Sequence, residues 1–176
     1  MSARALGNAR GLTLAEILVA TAVIAIGLVG LAVVVPVASY GVQEGNQLST
    51  ATFLAEQRIE QARNRPWTLT PANDCLGVSA GNAQVQPTIP AGGACTTPAL
   101  GAGTATFADE NPVTGFTGYS RTTWIWDCAT VDCAGLTTPG ASMRLITVTV
   151  SYRPLTGAGV AVTNKSVVIQ WAVARR

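Results

Sequence analysis

Glu16 makes the clearest chemical demand on its surroundings. It lies five residues beyond Gly11 and is followed by 22 residues without a charge, Ile17 to Ala38. An ionised carboxylate beside hydrocarbon is costly, so such a residue requires a partner, and its role is functional by default. The four cysteines, Cys75, Cys95, Cys128 and Cys133, come next. In an oxidising compartment they form disulfides. Four cysteines allow three pairings, and the local solution joins Cys75 to Cys95 and Cys128 to Cys133. A zinc site would need a second close pair or histidines; the chain has no histidine, and the step from 75 to 95 is too wide.

The same lack of histidine excludes Ser-His and Cys-His nucleophile systems. No glycine-rich loop follows a strand and opens a helix as phosphate binding requires. The expectation is therefore no enzyme, no cofactor and no metal. Asp109 with Glu110 and Asp127 with Asp132 are the clustered acids outside the helical segments. Calcium takes oxygen ligands, but neither pair has the spacing of an EF-hand loop, so these read as solvated loop acids. Trp124, Trp126 and Trp171 raise the question of carbohydrate binding, although at this spacing in strands the expected role is core or rim packing.

The segment around Glu16 carries a resemblance. Arg10, Gly11, Leu12, Thr13, Leu14, Ala15 and Glu16, followed by ILVATAVIAIGLVGLAVVV, are similar to the processing site of type IV prepilins and secretion pseudopilins. The resemblance implies cleavage by prepilin peptidase between Gly11 and Leu12, N-methylation of Leu12, and Glu16 as the acid at the fifth position of the mature chain. It further implies that Glu16 serves subunit assembly, pairing with the terminal amine of a neighbouring subunit. Leu12 departs from the family's commoner phenylalanine. The string from Ile26 to Ala32, IGLVGLA, most resembles the V-type minor pilins. The implied partners are the prepilin peptidase, other pilins or pseudopilins, an inner-membrane assembly platform and, before assembly, membrane lipid. The implied location is the inner membrane as a precursor, then a pilus at the cell surface. A type II secretion pseudopilin and an unprocessed membrane-anchored binding module are the competing readings.

Charge distribution bears on both topology and partners. Arg4 and Arg10 precede the apolar run and the next basic residue is Arg58; by the positive-inside tendency the N-terminus is cytoplasmic and the remainder lies outside. A cleavable secretory signal has an apolar core of only ~7–15 residues ending in an A-x-A-like site, a poor fit to this longer run and the Pro36, Val37, Ala38, Ser39 that close it. Removing residues 1–11 discards two of the eleven basic residues and leaves nine against nine acidic ones. With Arg58, Arg63 and Arg65 read as a solvated helix face beside Glu56 and Glu60, nucleic-acid binding is not expected.

The elements that position these residues follow from periodicity. The predicted fold class is α+β, and the resemblance makes it the pilin fold. A leader of residues 1–11 precedes a transmembrane and filament-core helix over 12–38, which continues as an amphipathic helix over 39–65. Leu48, Ala51, Ala55, Ile59 and Ala62 recur at steps of three and four, widened by Phe53 and Leu54. The helix should end near Asn64, because Arg65 precedes Pro66. Gly27, Gly30 and Pro36 interrupt its first half. Residues 66–176 form the head: an irregular Pro- and Gly-rich region to about 118, then strands at Tyr119 to Asp127, Leu145 to Tyr152 and Ser166 to Val173. The second strand alternates, placing Ile146, Val148, Val150 and Tyr152 on one face. The third does so with Val167, Ile169, Trp171 and Val173, and residues 153–159 link the two as a loop. Burying the apolar stripe and the apolar sheet face together calls for the sheet to lie on the second half of the helix.

Overall fold

The apolar run is helical throughout despite Gly27, Gly30, Pro36 and the β-branched Val33, Val34 and Val35: α1 spans Leu14–Arg63, 50 residues, and continues through Pro36. It stops one residue before the expected Asn64, ahead of Pro66. The structure, a computed structural model, describes residues 13–68, 72–130, 133, 143–156, 159–160 and 163–175. By contacts the chain divides into two compact units, Met1–Val42 and Gln43–Arg176.

In the first unit the described residues from Leu14 onward are helical, and every side chain from 13 to 39 is exposed. The helix is long and apolar enough to cross a membrane, a property shared by membrane anchors and signal sequences. Two of its hydroxyls turn inward on the backbone. Thr21 Oγ1 donates to the carbonyls of Ile17 and Leu18 at 2.9 and 3.0 Å, and Ser39 Oγ to that of Val35 at 2.9 Å. Bonding of this kind satisfies these two hydroxyls in an apolar medium.

The second unit, the head, is built on a three-stranded antiparallel sheet in the order β5-β6-β9, with β5 at Tyr119–Asp127, β6 at Met143–Tyr152 and β9 at Lys165–Ala174. The registers Ile125 to Ile146 and Ile146 to Trp171 put the alternating apolar positions of all three strands on one face. Ile125, Ile146, Val148, Val150 and Tyr152 on that face join Ala51, Leu54, Ala55, Ile59 and Ala62 of α1 in one core. Fully burying a Leu, Ile or Val side chain contributes roughly 1.5–3 kcal/mol, and the alanines on the stripe let the helix backbone approach the sheet. The architecture is α+β, a long apolar N-terminal helix with a C-terminal antiparallel sheet.

Two stripe positions do not join the core: Leu48 is 49% and Phe53 54% exposed. At 3.6 residues per turn Phe53 points about 100° away from Leu54, and Leu48 sits a turn before the first buried position. The irregular region carries short pairings that composition concealed. Strand β1, Trp67–Thr68, pairs with β2, Asn73–Asp74, and β3, Cys95–Thr96, with β4, Ala99–Leu100. A 3₁₀ turn occupies Ala80–Asn82. The segment expected to be a plain loop after β6 contains an antiparallel pair, β7 at Leu155–Thr156 with β8 at Gly159–Val160.

Candidate functional site

Gly11 and Leu12 lie outside the described residues, so the site is built from Thr13 onward. Thr13 precedes the first helical residue and Glu16 is the third within the helix. The Thr13 backbone N–H donates to Glu16 Oε2 at 3.0 Å and the Thr13 hydroxyl donates to the same oxygen at 3.1 Å. In return the Glu16 N–H donates to Thr13 Oγ1 at 3.3 Å. This is a capping box, in which two helix-end N–H groups that have no intrahelical acceptor are bonded reciprocally by side chains. A carboxylate in the first turn also lies favourably in the field of the helix N-terminus. Glu16 therefore has donors from its own chain. The Thr-x-x-Glu spacing is the sequence signal of such a box.

Among the cysteines the pairs are local: Cys75 is bridged to Cys95 with Cα atoms 4.6 Å apart, and Cys128 to Cys133 at 5.3 Å. The first bridge is buried with Ile89, and Leu100 packs against the pair. The second is buried with Leu145, against Trp126 and Met143 at the end of the sheet.

The charged residues of the helix need a correction. Arg58 is 7% exposed and is not part of a solvated face. Its Nη2 meets Glu110 Oε2 at 2.5 Å, and Arg121 Nη2 meets the same oxygen at 2.6 Å. Glu110 is accordingly not a simple solvated loop acid but the shared counter-ion of two arginines. Burial alone would raise the Glu110 carboxyl, yet the hydrogen bond from Arg121 and the charges of Arg58 and Arg121 hold it below its ordinary value. Arg58 is lowered from its ordinary value, first by burial and then by the neighbouring Arg121, which outweigh the help of Glu110. Sequence spacing along α1 could not reveal this, because the acid arrives from 52 residues away.

A second buried pair joins β2 to β6. Arg144 donates Nη1 to Asp74 Oδ1 and Nη2 to Asp74 Oδ2, both at 2.7 Å. Asp74 Oδ1 also accepts the N–H groups of Leu76 at 3.2 Å and Gly77 at 2.8 Å. Burial opposes ionisation of Asp74, but the hydrogen bonds and charge of Arg144, with the two backbone N–H groups, leave its carboxyl below the ordinary value. The Arg144 guanidinium lies 4.1 Å from the centre of the Trp67 ring, and that of Arg175 5.1 Å. Gly77 is required here. Its φ is +76°, and a Cβ would come within 2.8 Å of Thr106 Oγ1 and 2.9 Å of the Thr88 carbonyl. The sequence signal was Arg144 itself, a charge in register with Ile146, Val148 and Val150.

The remaining candidates are dispersed. Trp124 and Trp126 are half-buried on the sheet face opposite the helix, whereas Trp171 belongs to the helix-facing register, is 44% exposed and packs under Arg63, 4.7 Å from its ring centre. The three therefore do not form one aromatic platform. Asp127 Oδ1 accepts the Ala129 N–H at 3.0 Å, and Asp132 lies outside the described residues. Among the described residues no group of three His, Cys, Asp or Glu side chains is placed to hold a metal ion. No family model, curated protein or solved structure matches this chain.

Proposed function

We propose that the chain is a minor-pilin-like structural subunit with a pilin fold, processed by prepilin peptidase after Gly11, N-methylated at Leu12, and assembled into a type IV pilus or pilus-like filament. The observation that carries this reading is the placement of Glu16: five residues beyond Gly11 in the sequence, in the first turn of a long apolar helix and held by the Thr13 cap. The α-amine that cleavage creates would lie one residue before the helix cap, in apolar surroundings where an unlike charge is needed. Glu16 supplies it. Before assembly the pair can form within one chain near the membrane interface. In a filament of packed helices the carboxylate of an incoming subunit can meet the amine of its neighbour, and that pairing would set the register between subunits.

The head fits a structural role. Its buried charges are consumed in holding β5 and β6 to the helix and to β2. The work assigned to the subunit is to help start or prime the filament and to present the β-sheet head at the surface, with other pilins, the inner-membrane assembly platform and membrane lipid as its partners.

The test is the mass of the N-terminal peptide, taken from membrane fractions of cells with and without the peptidase. The expected peptide begins at N-methylated Leu12 only when the peptidase is present. A mature chain that starts at Met1, or at Ser39 or beyond, overturns the reading.

A further inference from the structure

The two edges of the head sheet differ in what their backbone groups meet. On the β5 side Arg121 and Glu110 exchange N–H to carbonyl bonds, 2.9 Å in each direction. The Val113 N–H donates to the Tyr119 carbonyl at 2.8 Å, and the Ser79 N–H to that of Ile125 at 2.8 Å. The N–H groups of Ile125 and Asp127 donate to Ser79 Oγ at 3.0 Å and to Asn82 Oδ1 at 3.1 Å. Loops therefore cover this edge at Tyr119, Arg121, Ile125 and Asp127.

Strand β9 forms the other edge, and among the described residues it pairs with β6 alone. Antiparallel partners alternate between bonded and non-bonded positions. The odd-numbered residues of β5 bond outward, so its even-numbered ones bond to odd-numbered residues of β6. The even-numbered residues of β6 then bond to odd-numbered ones of β9, which leaves the backbone groups of Ser166, Val168, Gln170, Ala172 and Ala174 pointing away from the sheet. Nothing blunts this edge. Exposed strands are ordinarily protected from pairing by charges, proline or a bulge; from Ser166 to Ala174 there is no charge and no proline, and the register with β6 runs through all of β9 without a bulge. Val168 is 54% and Trp171 44% exposed.

We propose that the β9 edge receives an extended segment of a different protein chain, antiparallel to β9, with apolar residues at alternate positions and an acidic residue at the end that meets Arg175. In strand addition main-chain bonds give affinity and alternate side chains give specificity. On the helix-facing side the added residues would flank Ile169, Trp171 and Val173, which already pack on the core or under Arg63. The acid follows from charge. Lys165, at one end of the strand, is paired with Glu44, whereas the Arg175 guanidinium at the other lies by the Trp67 ring and has no carboxylate partner among the described residues. A second copy is a poor occupant. Its β5 edge is covered in the same way, and two β9 strands paired antiparallel about an axis through the sheet would set their α1 helices antiparallel, whereas chains held in one membrane by that helix run parallel.

The experiment titrates the isotope-labelled full chain, in phosphocholine micelles, with the synthetic peptide Glu-Thr-Val-Ser-Val-Thr-Ile-Ser and reads amide hydrogen exchange by NMR. Paired antiparallel with its glutamate opposite Arg175, the peptide places its apolar residues on the helix-facing side. The amides of Val168, Gln170, Ala172 and Ala174 should exchange about tenfold or more slowly when it is bound, while those of Ile169, Trp171 and Val173, already bonded to β6, should change little. Methylating the backbone nitrogens of the peptide's serine in fourth position and threonine in sixth, which face β9, should abolish binding. Methylating those of the two valines, which face away, should spare it. Ala172→Pro removes an outward N–H without touching the ladder to β6 and should weaken binding about tenfold or more; the methylated peptides make the same test with the protein unaltered. Arg175→Gln should weaken it about 2- to 5-fold, the worth of one exposed ion pair. Unchanged exchange at all four outward amides, equal binding of the serine- and threonine-methylated peptide, or a preference for lysine in place of the peptide's glutamate would each overturn the proposal. Protection that grows with protein concentration in the absence of peptide would assign the edge to a second copy and overturn it as well. None of these outcomes bears on cleavage at Gly11.

Discussion

Arg121 Nη1 lies 2.9 Å from the carbonyl oxygen of Leu54, so a side chain of the sheet is bonded to the backbone in the interior of the helix. The same nitrogen reaches Gln57 Oε1 at 3.1 Å, and Nε reaches Glu110 Oε2 at 2.6 Å. One planar fork thereby joins α1, β5 and the loop before β5, while Arg58 adds a second cation to the shared carboxylate. Hydrophobic burial brings the stripe and the sheet together. The guanidinium fixes their register, because only one placement of the helix satisfies all of its partners at once.

Arg121→Ala should cost about 3–5 kcal/mol, the usual penalty for removing one partner of a buried charge pair. Urea unfolding of the full chain measures it. Arg121→Lys should recover only part of the loss, since a single ammonium cannot reach Leu54, Gln57 and Glu110 together. A loss below about 1 kcal/mol for the alanine variant would show that the fork is incidental to stability.

Acid should weaken the head in a defined window. Asp74 and Glu110 both have folded carboxyl values held below their ordinary ones. The unfolded chain therefore binds more protons, and stability increases with pH across the titration. Their contribution is complete above the unfolded carboxyl range of about 4 and is lost as pH falls through the folded values. The urea midpoint should be level from pH 7 to about 5 and decline below about 4. Asp74→Asn should lower the midpoint at pH 7 and flatten that decline. A midpoint that rises on acidification would contradict the sign.

Reduction should affect the two bridges unequally. By loop-closure entropy the Cys75–Cys95 bridge, with a sequence separation of 20, contributes about 3 kcal/mol, and the Cys128–Cys133 bridge, with a separation of 5, about 2. Paired alanine replacement at 75 and 95 should lower the unfolding midpoint more than the same change at 128 and 133. Non-reducing peptide mapping should recover two local bridges. A crossed pattern, or four free thiols, would count against this account.

What the sequence made legible was periodic, and what it hid was paired across distance. Tyr119–Asp127 and the alternation through Ile146, Val148 and Val150 read correctly because burial on one face imposes a period of two over a long strand. The stripe from Ala51 to Ala62 read correctly for the corresponding helical reason. Arg58 was misread because a charged residue on a helix looks the same whether water or Glu110 receives it, and Glu110 lies on a distant loop with no periodicity. Asp74 and Arg144 posed the same difficulty. Phe53 was placed by hydrophobicity alone, although its angular position beside Leu54 pointed away from the core. The Thr13 to Glu16 cap was present in the local spacing, but an intermolecular cation offered a competing explanation for the same carboxylate.

The cap makes Glu16 separable into two functions. As a helix cap it needs only an acceptor oxygen, and glutamine serves at that position of a capping box as well as glutamate. As the counter-ion of a terminal amine it needs its charge. Glu16→Gln should therefore keep the bonds to Thr13 and the start of the helix, while Glu16→Ala should lose both cap and charge. On the proposed function, processing at Gly11 should persist in each variant, because cleavage precedes the pairing. Incorporation into sheared filaments should fall in both to a similar extent, because an amine left unmatched in a dry filament core carries a penalty of ~3–5 kcal/mol whether or not the helix is capped. The measurement compares the amount of each variant in filaments after its mature N-terminus has been verified. If Glu16→Gln assembles as wild type and only Glu16→Ala fails, the capping box is the functional element and charge pairing between subunits must be abandoned. If both assemble normally, Glu16 acts in neither way at assembly.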